Sequence, residues 1–333
     1  MLALIATVVY DRIRWDYVRL SDRYAGATPI LSMALIIGGD TQGSSRSPEA
    51  RPRASATGDS LMLVHIIADY GPSDLAFAEV VQRLKGYLPD AEPVLTPVPP
   101  FATLAAGFCV AQLGLNPAPA GTLIYHNVAP RQDAREARVG NAGERLAFAR
   151  LPTGVRVIGV NAGYTFAFVR EVAEDLHWAA APAAGSQFRS RDLFPQAAAA
   201  IALGRPEALA EAIRRTDIPE VPGQQIAYID GYGNLKTTIL LHAKAMAPGT
   251  IVRVRIGHAE QDATVSDGSF AVEPGQLALA PGSSGWPYPQ GGETRWMELF
   301  LRGGNAWEAF DRPPVGARIE LITRTAQHRR SAP

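Results

Sequence analysis

Residues 61–88 do most to limit what this chain can fold into. Leu61-Met62-Leu63-Val64-His65-Ile66-Ile67-Ala68 is a strand-like apolar run, and Asp69-Tyr70-Gly71 closes it with an acidic loop. Asp74 follows at the position of a helix N-cap, and residues 75–88 carry helical periodicity. Strand, acidic loop and helix in that order open an α/β unit, where ligands sit beyond the carboxyl ends of the strands.

The pattern continues. Pro93-Val94-Leu95 reads as a second strand, and Pro97-Val98-Pro99-Pro100-Phe101 as a rigid loop into a helix over residues 102–113. Residues 121–128 are a third apolar run with Tyr125, His126 and Asn127 embedded. Residues 154–160 form another strand entering Asn161-Ala162-Gly163-Tyr164, with helices expected at 166–176 and 193–203. The Pro-rich segment Ile218-Pro219-Glu220-Val221-Pro222-Gly223 then changes the character of the chain. Beyond it, short runs such as 251–256 and 296–301 alternate with Gly and Pro turns, an all-β pattern. The expected fold is an α/β N-terminal domain with a central, mostly parallel sheet (62–218), a linker (219–223), a smaller all-β barrel-like C-terminal domain (224–325) and a tail (326–333).

Residues 1–61 look foreign to the rest. The apolar run 1–10 is too short to span a bilayer, and 40–60 is rich in Ser, Arg, Ala, Gly and Pro, like a linker. The segment reads as a disordered or misassigned extension, with the folded protein beginning near Met62. No basic region precedes the first apolar run, so a secretory signal is poorly formed and a cytoplasmic, membrane-free protein is expected. Lys+Arg 32 balances Asp+Glu 32, and no basic stripe suggests nucleic acid. The single cysteine, Cys109, excludes an internal disulfide and sits in an apolar run as a buried structural thiol. Six scattered histidines offer no metal-ligand spacing, so no metal is expected.

The functional reading begins at Ile229-Asp230-Gly231-Tyr232-Gly233-Asn234-Leu235, a strand running into a tight turn. Asp230 can hold an ammonium, Tyr232 offers a face for stacking, and Asn234 can pair with a donor–acceptor edge such as adenine's. The same heptad is also ordinary β-turn punctuation, and alone it decides nothing.

Three more segments accompany it: Ala68-Asp69-Tyr70-Gly71-Pro72-Ser73-Asp74, Val98-Pro99-Pro100-Phe101, and Ser186-Gln187-Phe188-Arg189-Ser190-Arg191-Asp192-Leu193-Phe194. Together, in this order, the four resemble the S-adenosylmethionine (SAM) hydroxide adenosyltransferases, relatives of the SAM-dependent fluorinase and chlorinase. A weaker match, Ser283-Ser284-Gly285-Trp286, resembles the family's late turn, and the similarity spans residues 62–323. The resemblance implies an α/β domain followed by a β-barrel, assembled as a homotrimer with the ligand between one subunit's N-terminal domain and its neighbour's C-terminal domain. It implies that Asp69 accepts hydrogen bonds from the ribose hydroxyls and that Asp230 and Asp74 face the methionine ammonium. Tyr232 would stack on adenine, Asn234 would read its edge and Ser283 would bind the methionine carboxylate. Phe188 is kept among the binding candidates, although such a ring is more often core. No cofactor is implied, since SAM is the substrate.

The family's reaction is in-line attack on C5′, expelling neutral methionine. Charge is annihilated in that step, so a dry pocket favours it, and a water nucleophile also needs somewhere to send its proton. Around the nucleophile this chain departs from the pattern. Ala129 stands at the hydrolases' water-polarising aspartate, in Asn127-Val128-Ala129-Pro130-Arg131-Gln132-Asp133, and Arg189 stands at their histidine. Ser190 matches the serine that contacts fluoride in the fluorinase. Either Asp133, Arg131, His126 or Arg189 rebuilds a polar cluster around water or another anion, or the protein binds SAM or adenosine without turnover. Hydrolysis of SAM to adenosine and methionine is the leading expectation, with Arg189, Ser190, Asp133 and Arg131 as catalytic candidates. Adenosyl transfer to halide is the further alternative. Arg191 and Asp192 are expected to form an internal ion pair.

Overall fold

A computed structural model describes residues 62–130, 136–182, 184–241, 246–288 and 291–323. The expectations for 1–61, for Arg131 and Asp133 and for the tail 326–333 lie outside the described residues. The first strand, β1 (Met62–Ala68), has parallel neighbours on both sides, β2 (Ala91–Pro97) and β3 (Leu123–Asn127). A strand in that position is covered on both faces, which is why its sequence is a near-continuous apolar run. Helix α1 (Leu75–Tyr87) covers one face with Phe77, Val80 and Leu84, spaced as one helical stripe. Asp74 caps it, its carboxylate accepting from the Ala76 N–H at 2.8 Å.

Helix α2 (Thr103–Gly114) lies on the opposite face and is buried around almost its whole circumference. It packs against the first sheet on one side and against a second sheet on the other. Phe108 is the centre of that contact, with Phe168, Tyr228 and Trp286 rings at 5.7–6.2 Å. Gln112 and Asn116 anchor the helix to the N–H and the carbonyl of Gly285 at 3.0 and 2.9 Å. Both sheets belong to one compact unit, residues 58–333.

The expected fold class needs correction on two counts. The first sheet is mixed rather than mostly parallel. Its order is β2-β1-β3-β5-β4-β6-β7, where β4 is Leu146–Arg150, β5 Arg156–Val160, β6 Asp175–Ala179 and β7 Leu209–Ala212. The three pairings from β2 to β5 are parallel and the three from β5 to β7 antiparallel. The cause is local: β4 and β5 are joined by the turn at Leu151–Val155, too short for a crossover, so β5 must run back along β4. The second sheet is no smaller appendage. It also has seven strands, ordered β14-β10-β11-β12-β13-β9-β8, and it too is mixed, because β11 (Ala259–Val265) and β12 (Leu277–Pro287) run parallel. The remaining strands are β8 (Ile226–Ile229), β9 (Leu235–Leu240), β10 (Ile251–Ile256), β13 (Glu293–Leu301) and β14 (Ile319–Thr323).

The helix expected over 166–176 is absent. Thr165 through Val169 instead form successive turns, with Ala167 N–H bonded to Tyr164 and Val169 N–H to Phe166, and the chain then enters β6. Phe166, Ala167, Phe168 and Val169 are all buried, so the segment has no polar face for a surface helix to present. The helix expected at 193–203 forms as α4 (Phe194–Ala202), after the short α3 (Arg189–Asp192).

Candidate functional site

The carboxyl ends of β1, β3 and β5 open onto a cleft of about 720 Å³, closed on its far side by α3 and the start of α4. Parallel register sets this up. Ala68 pairs with Asn127, so the residues leaving both strands, Asp69-Tyr70 and Val128-Ala129, emerge side by side. Five of the residues singled out from sequence line this one cleft: Asp69, Asp74, Phe188, Arg189 and Ser190.

Asp69 accepts from the Phe101 N–H at 3.0 Å and so ties the Pro-rich turn to the strand end. Phe101 adopts φ 62°, unusual for a bulky residue, and its ring is half exposed at the cleft rim. Asp74 lines the cleft while one carboxylate oxygen caps α1. Tyr70 stands between them, edge-on to Phe77 and to Phe188. Its hydroxyl shares a 2.7 Å hydrogen bond with Ser190 Oγ and accepts from Asn127 Nδ2 at 3.1 Å. Burial holds the Tyr70 phenol well above its ordinary pKa, so it remains a neutral hydrogen-bonding group. Ser190 is buried, and its carbonyl accepts from the Tyr125 hydroxyl at 2.6 Å. Ser190 is thus gripped at both ends rather than standing free in the cleft.

Arg189 lies against the Phe194 ring, 5.3 Å from its centroid, and donates to the Glu144 carbonyl at 2.9 Å. Its guanidinium also lies 4.0 Å from the Glu144 carboxylate, with both side chains almost fully buried. The contact needs Gly143, because a Cβ there would overlap the guanidinium. Arg191 and Asp192 do pair, at 2.7 Å, and Arg191 also reaches Glu79 at 3.0 Å. Bonding to Arg191 and then to Ser186 pulls the Asp192 pKa down to about 2. The pair braces α3 against α1.

His126 is not in the cleft. Along β3 the side chains alternate, so Tyr125 and Asn127 face Ser190 and Tyr70 while His126 faces the other way. Its ring packs on Phe166 and fills the space left by Gly159, where a Cβ would collide with it. Neither ring nitrogen finds a hydrogen-bond partner among the described residues, and burial lowers its pKa to about 3.

The other four binding candidates belong to the second sheet, and none of them lines this cleft. Asp230, Tyr232 and Asn234 form the turn between β8 and β9. The Asp230 carboxylate accepts from Tyr232 N, Asn234 N and Asn234 Nδ2 at 2.9, 3.0 and 3.0 Å, and Lys236 Nζ is 3.7 Å away. Lys236 bridges onward to the fully buried Glu298 at 3.0 Å, which accepts from the Ser284 N–H. The turn is therefore rigid, while the Tyr232 ring it carries is 82% exposed. Ser283 lies exposed on β12 beside that chain of contacts.

Glu136, Arg138 and Glu144 also line the cleft and were not singled out from sequence. In Asn141-Ala142-Gly143-Glu144-Arg145 the glutamate looks like a solvated loop residue, and only the neighbouring glycine hinted at a close approach. Among the described residues no group of three His, Cys, Asp or Glu side chains is placed to hold a metal, and no helix is long and apolar enough to cross a membrane.

No protein-family model matches the chain, and no curated protein matches it. Solved structures do. An uncharacterized conserved protein from Thermotoga maritima is 20% identical over 78% of this chain and 100% of its own length, with a TM-score of 0.61. A conserved hypothetical protein from Thermus thermophilus is 20% identical over the same shares, with a TM-score of 0.56. At that identity the likeness is one of fold.

Proposed function

We propose that the protein binds SAM or a closely related adenosyl compound and displaces methionine at C5′, with hydrolysis to adenosine as the leading reaction. The observation that carries this reading is the convergence on one cleft of Asp69, Asp74, Phe188, Arg189 and Ser190, drawn from segments more than a hundred residues apart. A carboxylate beside a strand end suits a vicinal diol, and a cleft of this size suits a nucleoside. The rigid turn of Asp230, Tyr232 and Asn234, with its ring held out to solvent, supports a role as the second wall of the site. Because it does not line the cleft of its own chain, that wall is assigned to a neighbouring copy in a homotrimer acting in the cytoplasm. Asp230 carries three hydrogen bonds and a lysine already, so its part is to shape the turn as much as to meet an ammonium.

A second reading, binding without turnover, is favoured by one observation: Ala129 lines the cleft and supplies no polar group. Incubating the pure protein with SAM, with and without halides, and resolving the products by chromatography separates the readings. Adenosine supports hydrolysis, a 5′-halo nucleoside supports transfer to an anion, and binding with SAM unchanged supports the second reading. Absence of affinity for any adenosyl ligand refutes all three.

A further inference from the structure

Resting on that reading of the cleft, we infer that Glu144 is the catalytic base of this protein and that water is the nucleophile. Glu144 lies just before β4, lines the cleft and is 8% exposed. Its Oε1 is fully buried without a hydrogen-bond partner, while Oε2 faces Arg189 at 4.0 Å. A buried carboxylate oxygen with no donor is costly to keep, and a group lining a ligand cleft repays that cost when a donor arrives in the bound state. A water molecule is such a donor. Arg189, held by the Glu144 carbonyl and by the Phe194 ring, sets its guanidinium beside the carboxyl group and orients it.

The same pairing selects the nucleophile. The Arg189 charge is met by Glu144 and is not left to attract an anion such as halide. In the step itself the water oxygen forms a bond to C5′ as the C5′–S bond breaks. The bonding pair goes to sulfur, which leaves as the neutral thioether of methionine. The water proton passes to the Glu144 carboxylate and then to solvent, so SAM and water give adenosine, methionine and one proton. A carboxylate in this role supplies, from the loop before β4, the polar group that Ala129 does not.

The test compares wild type with Glu144→Gln and Glu144→Asp. SAM binding is measured by calorimetry and adenosine formation by chromatography, between pH 6 and 9 and with chloride present. Both variants are expected to bind SAM within about threefold of wild type, and adenosine formation in Glu144→Gln to fall about 100-fold or more. Glu144→Asp keeps the charge beside Arg189 and shortens the reach, so it should fold normally and still lose most of the turnover. Turnover in Glu144→Asp and in any folded Glu144→Gln within fivefold of wild type overturns the inference. So does wild-type protein that binds SAM and forms no adenosine, or forms mainly a 5′-chloro nucleoside; the adenosyl reading survives those results. If wild type binds neither SAM nor adenosine, the adenosyl reading itself falls and this inference with it.

Discussion

Acidification from pH 7.5 to 5 is expected to cost the fold about 2 kcal/mol through one side chain, His126. The ring is completely buried, packs on Phe166 at 4.9 Å and has no hydrogen-bond partner among the described residues. Burial lowers its pKa from 6.5 to about 3. As pH falls through 6.5 the unfolded chain takes up a proton that the folded chain refuses until about pH 3. The stability is therefore intact above pH 6.5 and is lost progressively towards pH 3. At pH 5 the unfolded ring is ~97% protonated and the folded ring ~1%, which gives the figure of about 2 kcal/mol; the ceiling in stronger acid is about 5 kcal/mol. Carboxylates held low in the fold, such as Asp192 at about 2, release their stabilisation only below their unfolded values near 4 and so stay silent in this window. His65, lowered in the same direction by partial burial, adds to the loss and must be subtracted. Urea unfolding at pH 7.5 and 5, run on wild type and His126→Leu, does so. Wild type should lose about 2 kcal/mol more than the variant over that interval. Equal losses in the two proteins would refute the assignment.

Gly159→Ala should destabilise by about 1–3 kcal/mol by driving a methyl into the His126 ring, and a double-mutant cycle with His126→Ala should return part of that cost. Phe108→Ala, at the aromatic contact between the two sheets, should cost about 3–5 kcal/mol in urea unfolding while leaving the cleft residues in place. Tyr232→Ala should change stability by less than about 0.5 kcal/mol, because the ring is exposed, yet weaken adenosyl binding by about 1–3 kcal/mol measured by calorimetry. Asp69→Ala should weaken the same binding about ten- to a hundredfold; an unchanged affinity would remove Asp69 from the site.

The parallel half of the first sheet was legible because its signals are local. β1 is an unbroken apolar run, Asp74 is a capping residue in place, and Phe77, Val80 and Leu84 mark one helix face. The antiparallel half was not. β4 and β6 are five-residue strands, Leu-Ala-Phe-Ala-Arg and Asp-Leu-His-Trp-Ala, whose identity depends on partners far away in sequence. The run Phe166-Ala-Phe-Val shows the limit of periodicity: four adjacent buried residues fit a helix, a strand or the turns actually formed. Asp69 and Ser190, which line the cleft, were picked out through the segments Ala68–Asp74 and Ser186–Phe194 that carry the family resemblance. Glu144 was not, since its burial comes from Arg189, 45 residues further on, folding over Gly143.

The account stands on one adenosyl site made from the Asp69 cleft of one copy and the Tyr232 turn of the next. Co-expression of Asp69→Ala with Tyr232→Ala chains, each carrying a different affinity tag, tests it directly. Each variant alone should bind SAM weakly, and doubly tagged trimers should regain wild-type affinity at about one site in three, where two unaltered faces meet. Binding in the mixed assemblies no better than in either parent, or wild-type protein that proves monomeric while binding SAM tightly, would contradict it.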